Sequence, residues 1–451
     1  MTGPGTQRSV HTSLAVSRKR ATGRRRPVPA NSSRPTVRGL AFIGAAVLCG
    51  VLGYGLGRSE LLYAAGFLIL LPLVGLVIVR LRPLRLTVVR TFSPAVVTAG
   101  TPTVVELDVR NVSSFASASA AWYDRIPWLP GRAGPGVLPV LPPGGVAATR
   151  GARLGYSLRP TLRGVYSIGP LEVEYTDPFG LGVARAEVGS SQSLYVIPAV
   201  APLGDSGPIY VSGDGTARLI QRMATGSDDD LMTREYRTGD ALRRVHWRAS
   251  ARHGELMVRQ EEQRSFPEAR LLIDTRLDGY GGTIAEFGFD DTGFSWFEWG
   301  VGMIASLGVH LHRSGFLVQV VETGPRQIAP LGDSNQGSGQ DIEFLLSLAG
   351  LRLTEPRSLV GNRGTDRAQG VLGPIFAVVA DPSRDSLEWI AAQRRPYEAG
   401  VAFILQTGST RAWEQLAAAG WTCVPVVDTD DPAVAWASVS QYIPQSAAER
   451  S

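Results

Sequence analysis

Apolar and polar residues follow three different periods along the chain. Residues 39–57 (GLAFIGAAVLCGVLGYGLG) and 61–79 (LLYAAGFLILLPLVGLVIV) carry no charge. At about 1.5 Å per residue each reaches nearly 30 Å as a helix, the thickness of a bilayer core, so the pattern predicts two membrane spans. Only Arg58, Ser59 and Glu60 separate them, which forces a tight hairpin. From residue 84 to about 198 the period becomes two. Val105, Leu107 and Val109 alternate with Glu106, Asp108 and Arg110, and Leu171, Val173 and Tyr175 alternate with Glu172, Glu174 and Thr176. Turn residues at 99–102, 130–145 and 177–180 divide this stretch at the spacing of a small β-sandwich. Beyond Arg270, short apolar runs at 271–274, 316–321, 376–380, 401–405 and 422–427 alternate with helical patterns near 294–313, 341–350, 384–395, 410–419 and 432–442. Such alternation predicts an α/β domain with a parallel, doubly wound sheet buried on both faces.

The expected organisation is a membrane-anchored, multidomain chain. A basic tail covers 1–38, a two-helix transmembrane hairpin 39–80, a β-sandwich-like domain 84–200, an arginine-rich segment 201–268 and the α/β domain 269–445. The tail has too few apolar residues for a core and reads as disordered. Its nine basic residues leave 36 of the 45 in the chain against 40 acidic ones, so the body is mildly acidic despite the net charge of +5. That balance argues against a general footprint for nucleic acid. Arginines before the hairpin, and Arg80, Arg82, Arg85 and Arg90 after it, outweigh the single Arg58 in the turn; the bias places the chain in the cell membrane with both termini cytoplasmic. A cleaved signal peptide is the alternative, but its apolar region would be shorter and would not be followed by a second span. Gly53 and Gly57 have GxxxG spacing, which suits either hairpin packing or pairing with another copy, and the oligomeric state stays open. Two cysteines, Cys49 and Cys423, provide no disulfide framework.

Residues 234–262 are the densest in arginine. Arg234, Arg237, Arg243, Arg244, Arg248, Arg252 and Arg259 surround Tyr236, a Gly239-Asp240 turn and Trp247. Guanidinium forks suit carboxylates and phosphates, so the cluster is either an internal ion-pair network or a docking face for an acidic partner. In the first arrangement Asp240, Glu255, Glu261 and Glu262 pair with the arginines and Trp247 is a core anchor; in the second Arg244, Arg248 and Arg252, each four apart, share one side of a helix. The residues predict a mixture, with Trp247 and Asp240 structural and Arg248 and Arg252 facing outward. Three aspartates near strand ends, Asp274, Asp278 and Asp381, could supply oxygen ligands to Mg²⁺. The competing reading is that they cap following helices and that Arg276, beside Asp274, pairs with it in place of a cation. His246 and His253, and His310 and His312, lack metal-ligand spacing. Neither a G-x-S-x-G elbow, an H-E-x-x-H pair nor a Walker loop occurs.

The run R-x-Y-x-x-G-D at Arg234, Tyr236, Gly239 and Asp240, with H-W-R-A-S-A-R from His246 to Arg252 and Gly254-x-Leu256-x-Val258, resembles the signature of domain-of-unknown-function family 58. Upstream, Arg163-Gly164-x-Tyr166 and the D-P-F-G-L at Asp177, Pro178, Phe179, Gly180 and Leu181 are similar to that family's second hallmark. The resemblance covers residues 39–440. It implies a C-terminal fold like the von Willebrand factor A domain and a membrane protein often paired with a MoxR-type AAA+ ATPase. The metal site of that fold expects Asp-x-Ser-x-Ser, and the run from Asp274 to Asp278 keeps only the aspartate. Taken together, the residues predict a membrane scaffold that binds protein partners and is not an enzyme, because Arg and Trp stand out and no paired acid and base does. Two alternatives are an envelope enzyme with an unrecognised site and a membrane-tethered nucleic-acid binder.

Overall fold

A computed structural model describes residues 12–13, 33–81, 84–129, 133–144, 151–204, 233–236, 245, 247–259, 268–280, 292–328, 339–355, 372–397, 399–406 and 410–442. The chain divides into two compact units, Met1–Ile197 and Pro198–Ser451.

In the first unit, β1 (Thr12–Ser13) and β2 (Ser33–Pro35) precede α1 (Val37–Leu56) and α2 (Ser59–Leu81). Both helices form where the uncharged runs lie, and each is long and apolar enough to cross a membrane. Thr36 caps α1 by accepting the Gly39 N–H at 3.1 Å, and Gly57 closes it at φ 66°, a left-handed conformation that glycine adopts without strain. A Cβ on Gly53 would lie 3.0 Å from Leu61, so a small residue there lets the helices close together. Gly57, its partner in the GxxxG spacing, sits in the turn instead. β2 pairs antiparallel with the strand at 182–188, and β1 pairs parallel with that at 152–158. The expected disorder of 1–38 is thus corrected at 12–13 and 33–38, where a sheet edge or the first turn of α1 satisfies the backbone; residues 1–11 and 14–32 lie outside the described residues.

Ten further strands follow: β3 (Leu86–Ser93), β4 (Val96–Thr98), β5 (Thr103–Asn111), β6 (Ala120–Asp124), β7 (Ala133–Leu138), β8 (Ala152–Leu158), β9 (Gly164–Ile168), β10 (Leu171–Thr176), β11 (Gly182–Val188) and β12 (Gln192–Ile197). They form three sheets, ordered β1-β8-β5-β3, β2-β11-β10-β6-β7 and β4-β12-β9, where the periodicity alone predicts a simple sandwich. Val105, Leu107, Val109, Leu171, Val173 and Tyr175 enter one shared core, as their alternation requires, and Val79 of α2 enters it with them. Inside lies one ionic cluster: Arg90 holds Asp124 through Nε at 3.0 Å and Nη2 at 2.7 Å, and the Tyr156 hydroxyl donates to the same carboxylate at 2.5 Å. All three are buried. Burial and the neighbouring Asp124 charge push the Tyr156 phenol well above its usual pKa.

The D-P-F-G-L loop ties this domain to the hairpin. Asp177 folds it: its carboxylate accepts the Phe179 N–H at 2.7 Å and the Gly182 N–H. The Thr36 hydroxyl donates to the Gly180 carbonyl at 2.7 Å, and Thr36 N–H donates to Leu181 at 2.8 Å. A Cβ on Gly39 would overlap the Leu181 carbonyl oxygen, and one on Gly75 would lie 3.0 Å from the Asp177 carboxyl. Glycine at these two helix positions permits the approach.

In the second unit, β13 (Thr233–Glu235) and β14 (Met257–Arg259) form a two-stranded ribbon carrying α3 (Trp247–His253). A five-stranded, wholly parallel sheet follows, built from β15 (Glu268–Ile273), β16 (Leu317–Glu322), β17 (Leu372–Val379), β18 (Gly400–Leu405) and β19 (Thr422–Val426) in the order β16-β15-β17-β18-β19. Its helices are α4 (Thr292–Arg313), α5 (Gly339–Gly350), α6 (Arg384–Gln393), α7 (Arg411–Ala418) and α8 (Pro432–Tyr442). Leu387, Ile390, Ala412 and Leu416 of α6 and α7 cover the face bearing Leu272, Ile375, Ala377 and Val379. Gly300 of α4 lies against Val378, and Trp436 of α8 against Phe376, on the other face. The sheet is therefore wound on both sides, and the order reverses between β15 and β17. In such sheets ligand sites lie beyond the carboxyl ends of the strands flanking that reversal.

Candidate functional site

Two places merit construction from their residues. The first is the arginine-rich segment. Arg234 occupies the middle of β13, opposite Val258, and the Tyr236 N–H donates to the Leu256 carbonyl at 2.8 Å. Val245 bridges Val258 and is buried, and the Ser250 hydroxyl accepts the Met257 N–H at 2.8 Å, which latches α3 to β14. Beyond that latch no side chain of α3 is buried. Trp247 is 68% exposed. This corrects its expected role as a core anchor: the indole stands largely in solvent, and no residue of α3 is buried. Arg248 and Arg252 are exposed, one turn apart, and among the described residues neither forms an ion pair. Gly239, Asp240, Arg237, Arg243, Arg244 and His246 lie outside the described residues.

The second place is the sheet reversal. Asp274, directly after β15, is fully buried. Its Oδ1 accepts the Arg276 N–H at 3.1 Å and the Thr323 hydroxyl, which comes from the end of β16. Its Oδ2 has no hydrogen-bond partner among the described residues and faces Gly279, where a Cβ would overlap it. Burial pushes this carboxyl up to about 6, against the lowering by its two donors. Asp278 pairs with Arg276 at 3.3 Å, and Asp381 pairs with Arg411 at 3.1 Å. The expected Arg276–Asp274 pair is thus corrected: the guanidinium reaches the carboxylate two residues on, and only its backbone N–H meets Asp274.

A Mg²⁺ ion wants several free oxygens converging on one point. Two of the three predicted carboxylates are occupied by arginines, and among the described residues no cluster of three His, Cys, Asp or Glu side chains is placed to hold a metal. The Thr275 hydroxyl is occupied too, accepting the Gly324 N–H at 3.1 Å. Among the described residues the donor set does not fit a divalent cation.

Sequence reasoning missed Thr323, although it follows β16 as Asp274 follows β15; comparing strand ends would have found it. It also missed the buried pair between His312 Nδ1 and Asp341 Oδ1 at 2.7 Å, which joins the end of α4 to the start of α5. No sequence spacing signals a contact between residues 29 apart on different helices.

Residues 232–285 match the family described as Protein of unknown function DUF58. The matched stretch contains β13, α3, β14, β15 and Asp274 to Asp278, but not Thr323, Asp381 or Arg411, and it supports a DUF58 segment in this chain. No curated protein matches. Among solved structures, the CARDB domain of a Pyrococcus furiosus protein, crystallised in complex with di-metal ions, is 18% identical over 23% of this chain and 88% of that chain, with a TM-score of 0.17. A solution structure of that domain gives 18% identity, 23% and 94% coverage and a TM-score of 0.16. A Paenibacillus sp. cycloisomaltooligosaccharide glucanotransferase complexed with cycloisomaltoheptaose is 12% identical over 75% of this chain and 52% of that chain, with a TM-score of 0.18. Superpositions this poor define no shared fold and no shared chemistry.

Proposed function

We propose that this chain is a membrane-anchored scaffold that docks a protein partner on the exposed face of α3, within the DUF58 segment. The observation that carries the reading is Trp247, 68% exposed beside Arg248 and Arg252 on a helix that buries nothing. Trp and Arg are the residue types richest in interface hot spots, and an indole left in water gains most when a partner covers it. The two exposed guanidiniums, which form no ion pair among the described residues, select an acidic partner surface. The hairpin holds the chain in the membrane, and the arginine bias around it puts both termini, and so the docking helix, in the cytoplasm. By resemblance to DUF58 proteins, the partner is a MoxR-type AAA+ ATPase and the C-terminal sheet is of the von Willebrand factor A kind, with protein docking that does not run through a metal.

The test is capture of a purified MoxR-type ATPase by the detergent-solubilised full chain. Arg248→Ala with Arg252→Ala should weaken capture and flatten its salt dependence, since screening acts on exposed charge pairs. Capture with unchanged salt dependence would count against the docking face.

A further inference from the structure

We infer that the tip of the D-P-F-G-L loop, Pro178 and Phe179, is immersed in the cytoplasmic-side lipid interface and acts as a third membrane contact beside the two helices. This rests on the membrane-spanning reading of α1 and α2. Both tip residues are exposed, Phe179 at 54%, although Asp177 and Leu181 on either side are buried. The loop's depth follows from its contacts with the helices. On α1 it touches Gly39, about 26 Å along the helix from Leu56; on α2 it touches Gly75, about 24 Å from Ser59. The two helices therefore report the same level independently. Arg58 and Glu60 in the turn must stay outside the far edge of a hydrocarbon core of about 30 Å. Measured from there, a level about 25 Å away falls inside the near edge of that core or at its surface, and helix tilt only deepens it.

The loop is built for such a place. Non-helical backbone at membrane depth must satisfy its own polar groups. Here the Phe179 and Gly182 N–H groups donate to the Asp177 carboxylate, Gly180 N–H donates to the Asp177 carbonyl at 3.0 Å, and the Gly180 carbonyl accepts from Thr36. An exposed aromatic at this level matches the aromatic residues that sit among headgroups. Arg38, one residue before Gly39, and Arg80, whose Nε donates to Ser33 at 2.9 Å, flank it with charges able to reach phosphates.

The test uses the full chain with Cys49→Ala, reconstituted in vesicles of phosphatidylcholine and phosphatidylglycerol. Cys423 stays, since it is buried and its thiol is pushed up to about 11 by burial. Single nitroxide labels are placed at Phe179→Cys, at Leu70→Cys on the exposed side of α2, and at Val434→Cys on the exposed side of α8. Collisions with oxygen, which enriches in lipid, are compared with those of a water-soluble nickel chelate. The expected result is an oxygen-dominated ratio at 70 and 179 and a reversed, nickel-dominated ratio at 434. An oxygen-dominated ratio at 70 with a nickel-dominated one at 179 would overturn the lipid contact and leave the spans standing. A nickel-dominated ratio at 70 would overturn the spans, and the proposal with them.

Discussion

Replacing Asp274 by Asn should stabilise the second unit near neutral pH and leave it unchanged in acid. The buried carboxyl titrates at about 6 against an ordinary value of 3.8. At about 1.4 kcal/mol per unit, that difference is about 3 kcal/mol. The sign follows from which state gives up its proton first. Below about pH 3 both states are protonated, and the group costs nothing. As pH rises the unfolded chain ionises first, so stability falls until the folded carboxyl also ionises near pH 6, and the loss is complete above that. Asn mimics the protonated acid: its Oδ1 keeps the Thr323 and Arg276 donors, and its amide takes the place of Oδ2 against Gly279. A gain of about 3 kcal/mol corresponds to a Tm rise of about 6 to 12 °C for a unit of this size. The assay is thermal unfolding of wild-type and Asp274→Asn chains across about pH 3 to 8, with and without Mg²⁺. The reasoning fails if Asn destabilises at neutral pH, or if Mg²⁺ raises the wild-type Tm in a saturable way that Asn abolishes, because a bound ion would then be stabilising the ionised form.

Other perturbations read other parts of the structure. Arg90→Ala leaves Asp124 ionised and buried in the β-core, so it should cost about 3 to 5 kcal/mol and lower the melting of the first unit; a loss under 1 kcal/mol would show that water reaches Asp124. Gly75→Leu drives a side chain into the Asp177 carboxyl and should cost about 1 to 3 kcal/mol, seen as earlier unfolding and faster proteolysis of the D-P-F-G-L loop, while Gly66→Leu, where a Cβ meets nothing, should be neutral. A reporter fused after Ser451 should read cytoplasm in intact cells; an external signal would reverse the proposed orientation.

Much of the fold was legible because burial imposes a period. The charge-free runs at 39–57 and 61–79 became α1 and α2, extended by a turn or less at their ends. Alternation at Val105, Leu107 and Val109 became the inward face of β5, and the five apolar runs after Arg270 became the five parallel strands. What stayed hidden depends on contacts between distant residues. Periodicity could not show that Ser33–Pro35 adds an edge to β11, or that Val79, near the end of α2, joins the β-core. At the sheet reversal, sequence adjacency suggested that Arg276 serves Asp274. Its reach instead favours Asp278, and the partner of Asp274 arrives from Thr323, 49 residues on. Trp247 misled for the opposite reason: an aromatic amid arginines reads as an anchor only if something lies beneath it, and composition does not report that.

The docking role of α3 is tested most directly by the affinity of the full-length, solubilised chain for a MoxR-type AAA+ ATPase with Trp247 intact and with Trp247→Ala. An exposed hot-spot indole predicts a loss of about 30-fold in affinity, some 2 kcal/mol, with the melting temperature unchanged. Equal affinity of the two chains would contradict the account, and so would a Trp247→Ala chain that binds weakly only because it has lost its fold.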